Sequence, residues 1–390
     1  MAEPTPLAHA VGNIALVDHH AHPVLGSNLS RAIFEELITE SDRAAPAGTT
    51  RFDSQLGIAV RRWCAPVLGL PPDTSPDEYL ARRAELGPDE ATRVLLRASG
   101  TACFLVDTGY VLDGMLGLEP MAEAAGAGVA EIVRLERVAE QAIMAGDATA
   151  DGFADRFRAA LWDQAAGACG VKSIIGYRFG LDFDPAAPTG AEVTTAAGRW
   201  LAEIERGANV RVTDPVLLRH LLWAGVGRGL PVQIHTGFGD PDADLRRCNP
   251  LFLRAFLERS EPTGVPVMLL HCYPYHREAG TLAQAYPHVY LDVGLALNHV
   301  GARASAVVAE SLELAPFGKV LFSSDAFGPA ELHYLGALQW RRATAAALGE
   351  WVAAGDWSTA NAVRVAEMIG AGNARRVYRL PDTMAPRGYA

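Results

Sequence analysis

Two histidines one residue apart, His20 and His22, follow an apolar run that starts at Ile14. Side chains alternate between the faces of an extended chain, so imidazoles two positions apart point the same way. Three further apolar runs end in groups of related chemistry: Val232-Gln233-Ile234 in His235, Val267–Leu270 in His271, and Leu321-Phe322-Ser323-Ser324 in Asp325. Imidazole and carboxylate together suit a borderline divalent ion, zinc first, with manganese, iron or cobalt also served. An ion with one position left for solvent lowers the pKa of that water toward about 7. Singly, each element is weak. An HxH arises by chance, a lone buried histidine is more often a satisfied core residue, and an Asp at a strand end often caps a helix. The joint order carries the signal: HxH first, then His, His and Asp, each closing an apolar run.

Such groups can meet only if the runs that carry them lie side by side. Eight segments read as strands: Ile14–Asp18, Ala102–Asp107, Glu131–Leu135, Val171–Ile175, Val232–His235, Val267–His271, Val289–Val293 and Val320–Asp325. Helical stretches separate them, which predicts a parallel sheet with right-handed crossovers. Eight repeats predict closure into a (β/α)8 TIM barrel, whose active sites sit at the C-terminal ends of the strands. An open doubly wound sheet is the competing fold, but it favours a Gly-rich phosphate turn after its first strand, where this chain has histidines. Residues 1–12 read as a tail and 13–380 as the barrel. Residues 23–100, with helical patterns at Arg31–Glu40, Pro76–Leu86 and Pro88–Ala98, read as a helical insertion that could cover the barrel mouth. The long connection Asp182–Gly229 has room for an extra helix. Ala330–Leu380 reads as helices packed outside the barrel, and residues 381–390 as a second tail.

Composition narrows the partners. Of 390 residues 49% are hydrophobic and 20% charged, so the chain can bury a large core. A net charge of -11 with no basic run argues against nucleic acid and anionic membrane surfaces. Five dispersed cysteines with no CxxC pair point to a reducing, cytoplasmic setting. The first ten residues lack the pattern of a signal peptide, and no run of about 18 apolar residues reads as a membrane span. A small-molecule substrate is the expected partner, and association into a homo-oligomer is open.

Beyond these residues the sequence resembles the amidohydrolase superfamily. The likeness runs through Val17-Asp18-His19-His20-Ala21-His22, Val232-Gln233-Ile234-His235-Thr236-Gly237, Leu270-His271-Cys272, Leu321-Phe322-Ser323-Ser324-Asp325 and Gly372-Asn373-Ala374-Arg375-Arg376-Val377-Tyr378. Val171–Arg178, Gly237–Asp240 and Tyr273–Gly280 are similar, more narrowly, to the amidohydrolase-2 branch, which includes a domain fused to glutamine synthetase in some fungi and plants. The resemblance implies that His20, His22 and His235 are metal ligands. It implies that His271 either binds a second metal or polarises substrate or water. It also implies that Asp325 ligates the metal and serves as general base. In two-metal relatives a Lys at the end of strand four is carboxylated and bridges the ions. Lys172 stands in that strand, but Ser173-Ile174-Ile175 follow it and would set it deep; the alternative is a buried Lys paired with a carboxylate. One ion is expected rather than two.

Four residues at strand ends are candidates for substrate binding, each with a plainer reading. Arg178 could clamp a carboxylate or form a structural ion pair. Asp240 could orient substrate or cap its turn. Tyr273 and His276 could donate hydrogen bonds or simply pack, as could Tyr275. Cys272, Asp18 and His19 read as structural. The leading expectation is metal-dependent hydrolysis of an amide-type C–N bond. Metal-dependent decarboxylation of an unsaturated or aromatic acid is the alternative, and a metal-stabilised scaffold with no vacant coordination position is a third possibility.

Overall fold

The computed structural model describes residues 5–381. Seven strands pair in parallel and in chain order: β1 (Leu16–Ala21), β2 (Thr101–Asp107), β3 (Gly128–Arg134), β4 (Gly170–Ser173), β5 (Val232–His235), β6 (Val267–Leu270) and β7 (Val289–Leu291). Every residue of β1, β2, β4, β5 and β6 is buried. That explains why these strands read as continuous apolar runs: both faces of a parallel sheet are covered.

The eighth expected strand, Val320–Asp325, closes the ring without becoming a regular strand. Val320 bridges Leu291 in parallel, and Leu321 N donates to Leu291 O at 3.0 Å. On its other side His19 N donates to Phe322 O at 3.1 Å and Asp325 N to His20 O at 3.0 Å. The segment therefore lies between β7 and β1, and the fold is the (β/α)8 barrel. Its ladder is interrupted because other groups take its backbone. Phe322 N donates to Ile369 O, Asn373 Nδ2 donates to Val320 O at 2.8 Å, and Asp325 sits at φ 50. Asp18 fastens the same segment, accepting from Ser324 N at 2.9 Å and Ser324 Oγ at 2.5 Å.

Two expected boundaries move for reasons that matter to the site. β1 extends to Ala21 and shifts register against β2 between Asp18 and Ala21, so a bulge carries His19 and His20. β4 stops at Ser173 rather than Ile175, because Glu136 Oε1 accepts from both Ser173 Oγ at 2.7 Å and Ile174 N at 3.0 Å. Lys172 is thus the penultimate residue of its strand, not a deep one.

Residues 23–100 form the expected helical insertion, with helices Arg31–Leu37, Pro76–Leu86 and Pro88–Ala98. It has its own apolar cluster, in which Phe34 and Phe52 stack 5.6 Å apart and Tyr79 is buried. A buried ion pair fastens it to the barrel: Arg83 Nε and Tyr79 Oη both donate to Glu331 Oε1 at 2.8 Å. Glu331 opens the long helix Ala330–Ala354 directly after the eighth segment. The connection after β4 holds two long helices, Gly190–Glu205 and Pro215–Gly227.

The N-terminal tail is a correction. Pro6–Gly12 is a helix capped by Thr5, and it buries Leu7 and Val11 in the main core. Two apolar residues four apart on one helical face outweigh the prolines, one of which sits at the favoured first helical position. Residues 382–390, most of the expected C-terminal tail, lie outside the described residues. Among the described residues no helix is long and apolar enough to cross a membrane.

Asn373 is buried and spans two carbonyls, donating to Phe317 O at 2.7 Å and Val320 O at 2.8 Å. Asn373→Ala strands both acceptors. The expected loss is about 2–4 kcal/mol of stability, read as a lower urea midpoint with an unchanged m-value.

Candidate metal centre

His20 lies in β1 and His22 just after it; Asp325 ends the eighth segment. One ligand atom from each falls within 4.8 Å of the other two. His20 Nε2 is 2.9 Å and His22 Nε2 is 3.5 Å from Asp325 Oδ1. His271, at the end of β6, places Nε2 3.4 Å from Asp325 Oδ2. His235 ends β5 with its ring 4.9 Å from that of His271, and its buried Nε2 has no hydrogen-bond partner.

The neighbouring hydrogen bonds decide which atoms carry protons. Gln233 Nε2 donates to His19 O at 2.7 Å, so its Oε1 must be the acceptor facing His20 Nδ1 at 2.8 Å. His20 is therefore protonated on Nδ1, and its Nε2 offers a lone pair. The Asp107 carbonyl lies 3.3 Å from His22 Nδ1 and fixes the same tautomer there. Two imidazole lone pairs then converge on a carboxylate oxygen that itself has no hydrogen bond. In a buried setting this is repulsive unless cations sit among them, and Lys172, with Nζ 3.1 Å from His20 Nε2, offsets the lone pair of His20 but not that of His22. The donor set fits a divalent ion, and the Gln233 and Asp107 contacts have the form of the outer-sphere bonds that orient histidine ligands.

Burial agrees with this assignment. It lowers the pKa of His20 to about 3 and pushes His235 and His271 downward as well, so all three are neutral near pH 7. Neutral imidazole is the form that binds metal. Burial alone would raise Asp325, but the closeness of His271, His20 and His22 holds it well below the usual carboxylate range.

Lys172 is fully buried, with Nζ 3.1 Å from His20 Nε2 and 4.0 Å from Asp107 Oδ2. It belongs to the site, and burial brings its ammonium down to about 8. A cavity of about 610 Å³ opens above this centre. Lys172, Arg178, His235, Asp240, His271 and Asp325 all line it, as do Glu36, Thr39 and Glu40 of the insertion. Gly237 makes the turn after β5 at φ 67, where a Cβ would overlap the Tyr273 carbonyl. Arg178 lines the cavity and pairs with Glu140 at 3.1 Å, the structural ion pair that was its plainer reading.

Tyr273 and His276 do not line the cavity. They stack on each other with ring centroids 5.8 Å apart, and His276 Nε2 pairs with Glu310 at 2.7 Å. The turn after His271, where both His271 and Cys272 take positive φ, carries the loop away. Cys272 is buried in the core, and the five cysteines are unbridged.

Several supporting residues escaped the sequence reading. Asp107 closes β2 and accepts from Arg134 at 2.6 Å and 3.0 Å. Asp292 follows β7 and accepts from His19 Nε2, His271 N, Ser323 Oγ and Gly294 N. Both are acids at the ends of apolar runs, the signal that marked Asp325. Tyr378, near the C-terminus, bonds Gln233 Nε2 at 2.8 Å and His19 Nδ1 at 3.1 Å, a partnership no local pattern announces.

Replacing Gln233 with Leu keeps the bulk but frees His20 to turn; metal affinity, read by chelator competition, is expected to fall about 10–100-fold. The metal-free protein should also lose stability in acid. His20 and buried His333 have folded pKa values near 3 and 4, below the ordinary 6.5. The unfolded chain therefore binds more protons, and stability falls as pH drops from about 6.5 toward 4, by on the order of 1 kcal/mol per pH unit for each such histidine. Urea midpoints that stay flat over that interval would contradict the assignment.

The comparisons with known proteins agree with this geometry. The model of the family described as amidohydrolase matches residues 17–380. Protein fluG of Emericella nidulans is 28% identical over 98% of this chain and 48% of its own length, so the chain spans about half of that relative. A solved structure of a Lactobacillus casei protein assigned as a metal-dependent hydrolase is 28% identical, with a TM-score of 0.82 over 96% of this chain and 97% of the other. A uronate isomerase from Bacillus halodurans, 15% identical with a TM-score of 0.62 over 96% of each chain, shares the fold. With the ligand-bearing strand ends and the matched span together, the chain belongs to the amidohydrolase family.

Proposed function

We propose that the protein is a metal-dependent hydrolase of amide-type C–N bonds in a small polar substrate. The single observation that carries the reading is the pair of imidazole lone pairs, on His20 and His22, aimed at Asp325 Oδ1 on the floor of a cavity. His20, His22, His235 and Asp325 would hold one divalent ion, with zinc the first candidate and manganese or iron the others. Bound there, such an ion supplies an acidified water and polarises a carbonyl.

The chain's own residues supply the proton handling. Asp325, held ionised, has in Oδ2 an oxygen other than the one facing His20 and His22, and it takes a proton from the attacking water; the same carboxyl then returns it to the departing nitrogen. Overall, oxygen from water joins the acyl carbon, the C–N bond breaks, and the nitrogen leaves protonated. His271, kept neutral by burial, stands beside Oδ2 and can donate toward negative charge growing on the carbonyl oxygen. The similarity to a structure assigned as a metal-dependent hydrolase, at 28% identity, supports the hydrolase part of this reading.

Asp325→Asn tests it. Turnover on a library of small N-acyl amides should fall by on the order of 10³-fold or more, with the melting temperature retained and bound metal assayed in parallel. Full turnover in that variant removes the role of Asp325. Release of carbon dioxide from unsaturated acids, with no amine released from amides, would assign a lyase instead.

A further inference from the structure

The cavity above the metal centre carries opposite charges in different parts of its lining. The side chain of Arg178 is 9% exposed and gives only Nη2 to Glu140 Oε1, at 3.1 Å. Its Nε and Nη1 are buried with no hydrogen-bond partner. Arg137, in the first turn of the helix Leu135–Met144, lines the same cavity, and its Nε is also buried without a partner. Glu140 does not offset both cations, because its Oε1 also accepts from Val212 N at 3.2 Å. Buried guanidinium donors left open are costly, and their forked geometry matches a carboxylate.

The acidic part lies where this cavity meets a second recess of about 410 Å³, beside Phe238 and His299. Glu40 and Asp240 line both spaces, whereas the two arginines line only the first. Glu40 Oε1 is buried and makes no hydrogen bond, although His299 Nε2 is 3.3 Å away. Asp240 is pushed up to about 6 by burial and by the neighbouring carboxylates of Asp242 and Glu40. A cation placed there would relieve that crowding, just as an anion would satisfy the arginines. A dicarboxylate would be repelled at one end of this lining and a diamine at the other.

We infer that the cavity takes a zwitterionic amide, an amino-acid derivative with its carboxylate against Arg178 and Arg137 and its ammonium against Glu40 and Asp240. This names the substrate class of the hydrolase proposed above and rests on that reading for the bond that breaks. The charge separation also accounts for a polar site in a chain of net charge -11: the arginines create a local positive region that the global charge does not.

The test uses zinc-loaded protein and two probe series, each an amino-acid amide with its deaminated and its decarboxylated counterpart: glutamine with glutaramate and 4-aminobutanamide, and asparagine with succinamate and 3-aminopropanamide. Dissociation constants are measured by calorimetry, or KM where a probe is turned over. In at least one series the amino-acid amide should bind about tenfold or more tightly than either counterpart. Arg178→Gln should erase the preference over the decarboxylated probe, and Glu40→Gln the preference over the deaminated one. Because Arg178→Gln leaves Glu140 without its partner, Arg137→Gln serves as a second variant, with the same preference expected to weaken. Equal binding of a counterpart, or a preference unmoved by these substitutions, would overturn the inference. Preferential binding of the zwitterion with no amine released would preserve it while removing the hydrolase reading; equally fast hydrolysis of uncharged amides would do the reverse.

Discussion

The structure is organised around an electrostatic conflict at Asp325. Two imidazole lone pairs, on His20 and His22, face one carboxylate oxygen at 2.9 Å and 3.5 Å in a buried site. Lys172 relieves this arrangement only on the His20 side, yet the surrounding hydrogen bonds enforce it. Gln233 and the Asp107 carbonyl hold the protons on the far nitrogens, and Asp18 clamps the backbone beside Asp325 through Ser324. Positive φ at Asp325 and His271 adds local strain of order 1–3 kcal/mol each, concentrated at the ends of the strands. Such strain persists where neighbouring structure over-determines it, and here that structure is the closed barrel.

Barrel closure and metal geometry are consequently one problem. The eighth segment cannot be a regular strand, because its backbone groups are divided among β1, β7, Ile369 and Asn373. That irregularity turns Asp325 toward His20 and His22. Glu331 then continues the same segment into a helix and anchors the insertion through Arg83 and Tyr79. Lid, ligand and closing segment are linked by short stretches of chain, which explains how an insertion remote in sequence comes to form the rim of the cavity. The C-terminal helices contribute from below: Tyr378 reaches the barrel interior and bonds both His19 and Gln233.

Much of this was legible from residue order. The parallel barrel followed from eight apolar runs separated by helical stretches, and the helices Pro76–Leu86 and Pro88–Ala98 were read to the residue, because a proline marks each start and the apolar spacing runs on to each end. His20, His22 and Asp325 were found because strand ends in a parallel barrel share one face. Residues placed by loops fared worse. Tyr273 and His276 follow a ligand strand closely, yet the turn after His271 carries them to Glu310. The helix Pro6–Gly12 is hard to tell from a tail in sequence, because its buried apolar residues, Leu7 and Val11, are few and its partner surface is hundreds of residues away.

The sequence by itself determined the fold class, the order of the strands and the chemical types gathered at their ends, because continuous apolar runs and the residues that end them are local properties of the chain. Only the tertiary structure decided which nitrogen of His20 and of His22 faces Asp325, that Asp107 and Asp292 brace the residues around them, and that Arg178 and Glu40 charge different parts of one cavity. Those outcomes depend on hydrogen bonds and charges between segments far apart in the chain, and such distances are set by packing rather than by spacing along the backbone.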